Sequence, residues 1–196
     1  MIDNECLASL KHVMDAYAPI SERSWEAFET HITFQTYQKG ETLLRFGDTA
    51  TRLYFICKGL LRTYFLDEEG HMYNKNLFLE HDFAGSKASM LLGSPSEFCI
   101  EALEETSVIE IAYRDYRRLI DKYDDVKAFY IAYLEQKWVI EKERVEIALV
   151  LEDARSRYLA FLKKHPGIEK RVSQHHIAAH LGITPTQLSR IRKNLK

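Results

Sequence analysis

Between residues 32 and 112, apolar and polar positions trade places in short runs: ITFQTY, TLLRF, RLYFICK, LLRTYFL, MYNKNLFL, EFCIEAL and TSVIEIA. Runs of this length, rich in β-branched, aromatic and leucine side chains, predict strands. Six of the eight glycines lie between residues 40 and 93, and KGE, FGD and DEEGH supply turn signals between the runs. Several short strands at this spacing predict an all-β sandwich, roll or barrel.

Beyond Ala112 the period changes. No glycine occurs from 94 to 166, and charged residues recur beside apolar ones at helical spacing. Tyr116, Leu119, Ile120 and Tyr123 mark a short helix, and a long helix is predicted from about Asp125 to Asp153. Along the long helix Ile131, Leu134, Trp138, Val145 and Ala148 follow a heptad-like seam that Glu141 interrupts, while Tyr133, Ile140, Ile147 and Leu151 form a second stripe. Two apolar stripes need two covering surfaces, either both within the chain or one on the β region and one on a twin helix. A third helix, ARSRYLAFLKK, runs to about His165 and is stopped by Pro166 and Gly167. The pattern divides the chain into a β region over 1–124, the long helix over 125–153 and a helical end over 154–196.

In that last segment, SQHHIAAHLGITPTQLSRIRKNL predicts two helices around a tight turn. Ser173 caps the first, which turns Ile177, Ala178 and Leu181 inward, and Gly182 breaks it. Thr184 is a good N-cap for the second, with Pro185 in its first turn and Gln187 placed for a capping box. Ile183, Leu188 and Ile191 can close the pair around a small core. Apolar spacing, caps and turn agree on a helix-turn-helix. Thr184, Thr186, Gln187, Ser189, Arg190, Arg192 and Lys193 are then the candidate DNA-contacting residues. The Arg190 fork suits the O6 and N7 of guanine, and the other side chains suit neighbouring base edges or phosphates. Lys196, Lys170 and Arg171 are further candidates for backbone contacts.

Charge supports this. From Arg155 onward ten Lys and Arg stand against one acid, Glu169, whereas 17 basic and 28 acidic residues precede it. A basic end on an acidic chain suggests that the end meets a polyanion. The first residues lack the uninterrupted apolar run of a signal peptide, and no stretch reads as a membrane span, so a soluble cytoplasmic protein without membrane partners is expected. Cys6, Cys57 and Cys99 are far apart, form no metal-ligand spacing and are read as ordinary thiols. His176 and His180 stand four apart without the glutamate of a zinc-protease motif. A cupin-type metalloenzyme would need clustered histidines, whereas His31, His71 and His81 are dispersed. No enzyme activity, metal or cofactor is expected.

Nearly the whole length resembles the Crp/Fnr family of transcription regulators. KGETLLRFGDTATRLYFICKGLLRTYF is similar to the family's β-roll signature. FAGSKASMLLGSPSEFCIEALEETSVIEIAYRDYRRLI is similar to its ligand cassette running into the first helix, and ITPTQLSRIRK to its recognition helix. The resemblance implies an α+β chain with an N-terminal β-roll of the cyclic-nucleotide-binding-domain type, a long dimerisation helix and a C-terminal helix-turn-helix. The implied partners are double-stranded DNA, a second copy of the chain, RNA polymerase and either an unknown small effector or none. The alternative reading is a cyclic-nucleotide-type or other small-ligand sensor module without DNA binding.

The candidate effector pocket comprises Gly85, Ser86, Lys87, Ser96, Glu97 and Glu141. Here the sequence departs from the family's cyclic-nucleotide binders, which use a glycine-glutamate pair for the ribose and an arginine-serine pair for the phosphate. The matching positions hold Gly85 with Ser86 and Ser96 with Glu97. A carboxylate repels a phosphate, so cyclic AMP is not the expected ligand. The N-terminal cysteine cluster of the family's oxygen sensors is absent. Thr186 stands where the family's recognition helix commonly carries a glutamate, and the sequence ends at Lys196, where relatives continue into a β wing.

Overall fold

The computed structural model describes residues 2–66, 69 and 72–195, with the side chains of residues 2, 3 and 66 excepted. The DEEGH turn, apart from Glu69, and Lys196 lie outside the described residues. Two helices, α1 (Ile2–Tyr17) and α2 (Glu22–Glu29), precede eight strands: β1 (Ile32–Tyr37), β2 (Thr42–Leu44), β3 (Arg52–Lys58), β4 (Leu61–Leu66), β5 (Met72–Phe78), β6 (Phe83–Ala84), β7 (Cys99–Ala102) and β8 (Thr106–Ala112). A short helix α3 (Lys87–Leu92) sits between β6 and β7.

The strands make two four-stranded antiparallel sheets, ordered β1-β8-β3-β6 and β2-β7-β4-β5. Leu53, Phe55, Ile109 and Ile111 of the first and Leu44, Leu61, Ile100 and Ala102 of the second share one core. Every predicted run forms a strand, which confirms the roll. The dipeptide β6 and the helix α3 were not foreseen, because two residues carry no period and KASMLL lies among glycines.

Gly59, in the β3–β4 turn, is required by both space and backbone. Its φ is +106°, and a Cβ there would stand 2.5 Å from Thr106 Oγ1 and 2.7 Å from the Glu105 carbonyl oxygen. The Leu60 amide donates to Thr106 Oγ1 at 3.0 Å, which ties the turn to the start of β8.

After β8 come α4 (Tyr113–Lys122) and the long helix, which begins at Asp124 and ends at Leu151, about 42 Å at the α-helical rise. It comprises α5 (Asp124–Leu134), a π-helical segment Glu135–Ile140 and α6 (Glu141–Leu151). The π segment spans the interruption before Glu141. Each i→i+5 turn adds about one residue and so rotates the C-terminal half of the helix relative to a straight heptad seam. The helical end comprises α7 (Ala154–Lys164), a 3₁₀ turn at Ile168–Lys170, α8 (Gln174–Leu181) and α9 (Pro185–Lys193).

The N-terminal helices went unread in the sequence, although Cys6, Leu10 and Met14 recur at helical spacing and all three are buried. They also correct the reading of the cysteines. α1 lays Cys6 against β3, and Cys6 and Cys57 form a disulfide with Cα atoms 5.2 Å apart, leaving Cys99 as the free thiol. Sequence separation concealed the pair, because 51 residues of chain return to the same place. A crosslink closing a loop of this size stabilises by about 4 kcal/mol in the chain-entropy model. Reducing the bond is expected to lower the urea midpoint correspondingly, and a Cys57→Ala variant to be less stable and insensitive to reductant. A wild-type midpoint that ignores dithiothreitol would refute this.

Candidate effector pocket and nucleic-acid interface

The helix-turn-helix forms as its residues dictate. The Ser173 side chain caps α8, Gly182 ends it in the left-handed conformation at φ 67°, and Leu188 buries fully against Ile177, Ala178 and Leu181. Thr184 and Gln187 complete a capping box: the Gln187 amide donates to Thr184 Oγ1 at 3.1 Å, and the Thr184 amide to Gln187 Oε1 at 2.9 Å. Both side chains therefore hold the helix start. Thr186, Ser189, Arg190 and Lys193 lie exposed along α9. Arg192 is half-buried and pairs with Glu169 at 3.0 Å.

Arg171 corrects an expectation. Rather than facing solvent, its guanidinium donates to Glu80 Oε1 at 2.7 Å, to Glu104 Oε1 through Nε at 3.1 Å and to the Gly59 carbonyl at 3.0 Å. These carboxylates raise its pKa still further, and the same contact lowers that of Glu80 despite a burial that alone would raise it. Arg171 thus fastens the helical end to the roll. Leu60, Leu77 and Leu103 of the roll share a core with Tyr158, Phe161, Ile168, Val172 and Ile177.

Two histidines complete this contact. Arg62, buried and paired with Glu101 at 2.9 Å, donates through Nη1 to His176 Nδ1 at 3.0 Å. Asn74 donates to the His176 carbonyl at 2.9 Å, and its own carbonyl lies 3.2 Å from His180 Nδ1. Burial, then the neighbouring Arg62 charge, holds His176 down to about 4, and burial likewise lowers His180. Their spacing of four residues serves this seat, and among the described residues no group of three or more His, Cys, Asp and Glu is placed to hold a metal.

The six residues expected to line one pocket separate. Ser96 Oγ lies 2.9 Å from the Phe98 carbonyl oxygen, to which its hydroxyl can donate, and 2.9 Å from Ser86 Oγ, whose own hydroxyl can donate to it, and both serines are buried. Gly85 packs so that a Cβ would meet Met90 Cε at 3.0 Å. Glu97 is exposed, and Glu141 pairs with Lys137 at 2.9 Å and with Lys164 at 3.4 Å. Lys87 alone of the six lines a cavity of about 220 Å³ between the roll and the long helix.

That cavity also takes two residues assigned to the dimer seam. Leu134 and Trp138 line it, whereas Ile131 and Val145 are 49% and 55% exposed and Ala148 is half-buried. On α5 the inward face is Val126, Phe129 and Tyr133, all buried. Below it the helix leaves Ile147, Val150 and Leu151 exposed.

Together these features define a class: a cyclic-nucleotide-binding-domain roll followed by a long helix and a helix-turn-helix. The cyclic nucleotide-binding domain family matches residues 34–123. The chain is 25% identical over 187 residues to the cAMP-activated global transcriptional regulator CRP of Escherichia coli O157:H7, covering 91% of this chain and 89% of that one. The c-di-GMP-responsive global regulator CLP of Xanthomonas campestris superposes with a TM-score of 0.69 at 19% identity, covering 89% of this chain and 91% of that one. FixK2 of Bradyrhizobium japonicum superposes at 0.67 with 20% identity, covering 84% of each. In fold and in the order of its parts the chain is similar to Crp/Fnr-like regulators. Among the described residues no helix is long and apolar enough to cross a membrane.

The histidine seat makes the contact acid-sensitive. Histidines held below their ordinary pKa stabilise the folded state fully above about pH 6.5, and that contribution falls as pH drops toward 4, because the unfolded chain takes up protons first. Acidification from pH 7 to 4.5 is expected to lower the melting temperature and to open the α7–α8 segment to protease. His165, at the end of α7, is held down to about 4 by burial and then by Lys164 and His180, so His176→Gln with His180→Gln should reduce that pH dependence and adding His165→Gln should reduce it further; an unchanged profile in the triple variant would count against the seat.

Proposed function

We propose that the protein is a cytoplasmic, homodimeric, sequence-specific DNA-binding transcription regulator rather than an enzyme, with DNA, a second copy and RNA polymerase as partners. The observation that carries this reading is α9: a helix with a completed capping box, anchored by fully buried Leu188, that presents Thr186, Ser189, Arg190 and Lys193 to solvent. An exposed N-terminal half on a buried support is the geometry that enters a major groove. The basic end supplies the counter-charge for phosphates.

The dimer reading rests on the apolar residues that the long helix leaves exposed. Ile131, Val139, Val145, Ile147 and Val150 are each about half or more exposed, more apolar surface than a helix facing water carries. A second copy packed on part of this exposed apolar surface would place two recognition helices for successive major grooves, about 34 Å apart. The roll then serves as an effector domain for something other than cyclic AMP. Ser96, where a phosphate-binding arginine would be needed, is bound to Ser86 and Phe98, and Glu97 adds a negative charge beside it.

Fluorescence anisotropy on DNA from the protein's own upstream region tests the reading. Binding should weaken steeply with salt, with a linear log–log slope. Arg190→Ala should cost about tenfold or more on the selected sequence, in line with about 1–3 kcal/mol for a bidentate base contact. Salt-independent binding, or an Arg190→Ala variant equal to wild type, would sink the reading. In sedimentation the wild type should run as a dimer and Val145→Glu should shift it toward monomer without loss of helicity. A monomeric wild type would contradict the twofold arrangement.

A further inference from the structure

The cavity beside Lys87 is apolar and built by aromatic side chains. Phe83 of β6, Tyr116 of α4, Phe129 and Tyr133 of α5 and Trp138 of the π segment form its walls. Their rings already meet edge-on or tilted: Phe83 and Tyr133 are 5.3 Å apart between centroids, Phe83 and Phe129 5.9 Å. Such walls accept another planar ring in the same arrangements.

Among the residues lining the cavity Lys87 alone carries an ionisable amine. It lies 4.5 Å from the Trp138 ring centre and 5.9 Å from that of Tyr133, and donates one long hydrogen bond, 3.3 Å, to the Phe83 carbonyl. An ammonium has three donors, so two remain for a ligand. Desolvation holds its pKa down to about 7, with Asp82 raising it and Lys75 lowering it. An incoming anion would restore what desolvation removes.

Size narrows the class. A 150 Å³ apolar cavity holds benzene, so about 220 Å³ suits one ring with a short arm or two fused rings. Gly85, Ser86, Ser96 and Glu97 are absent from the lining, so this site is separate from the positions matching the nucleotide cassette.

We propose that this cavity binds a small planar aromatic carboxylate, its ring among Phe83, Tyr116, Phe129 and Trp138 and its carboxylate paired with Lys87 Nζ. The proposal deepens the effector reading above and rests on it for consequence: α3 and β6 belong to the roll, while Phe129, Tyr133 and Trp138 belong to the long helix, so an occupant bears on how that helix sits.

The test uses the full chain carrying Trp25→Phe, so that Trp138 is the sole tryptophan, with 2-naphthoate and the neutral 2-naphthamide as probes. Saturable quenching of Trp138 is expected, tighter for naphthoate. Lys87→Met should weaken naphthoate at least tenfold and naphthamide less than twofold, and Lys87→Arg should restore the preference for the acid. Naphthoate should also raise the melting temperature of the parent and not of Lys87→Met. Equal naphthoate affinity in parent and Lys87→Met, or no saturable quenching by either probe up to millimolar concentration, overturns the proposal. Should Lys87→Met fail to fold, the naphthoate-over-naphthamide ratio in the parent and Lys87→Arg decides, and a ratio near one overturns it. DNA anisotropy on the same samples separates the two claims: lost DNA binding with naphthoate binding intact removes the regulator reading alone, and the reverse removes the site alone.

Discussion

The structure depends on the burial of the inner face of one helix. Val126, Phe129 and Tyr133 are sunk against the roll, and Phe129 and Tyr133 interlock with Tyr17 of α1 and Phe83 of β6. Each fully buried ring of this kind contributes about 1.5–3 kcal/mol by removal from water alone. Because three elements distant in sequence meet on that face, it sets the direction in which the helix leaves the roll and therefore where the helix-turn-helix begins. The aromatic cavity is the part of the same contact that the rings leave unfilled.

The helical end is fastened differently. A shared apolar core joins it to Leu60, Leu77 and Leu103, but the polar contacts around that core are concentrated: Arg171 on Glu80 and Glu104, Arg62 on His176, Asn74 on both histidines. Charged and hydrogen-bonded contacts of this kind lose strength when one partner changes protonation, whereas the ring contacts on the long helix do not. The two attachments of the DNA-binding candidate thus respond to different conditions. Arg190 and Lys193 take part in neither attachment's polar contacts and are exposed.

Crp/Fnr likeness resides in architecture more than in the ligand positions. The chain superposes over most of its length on relatives at 20% identity or less. The cassette positions depart, and the departure is structural: the two serines satisfy each other and the backbone, so the loop closes on itself. Apart from those positions the chain has a partly open apolar cavity lined by aromatic side chains and Lys87.

Much of this was legible in the sequence because it is governed by local rules. Strand runs are marked by β-branched, aromatic and leucine residues between turn signals, Thr184 and Gln187 stand at capping-box spacing, and the basic end is a matter of counting. Glu141 was visible as a break in the heptad, though not as the flank of a π segment. The rest was decided by tertiary structure. The pairing of Cys6 with Cys57, the capture of Arg171 by two roll carboxylates and the use of Leu134 and Trp138 as cavity walls all join residues remote in the chain. Periodicity and charge state what a segment needs to bury or neutralise, but only the folded chain selects which partner meets that need, because the partners are brought together by packing.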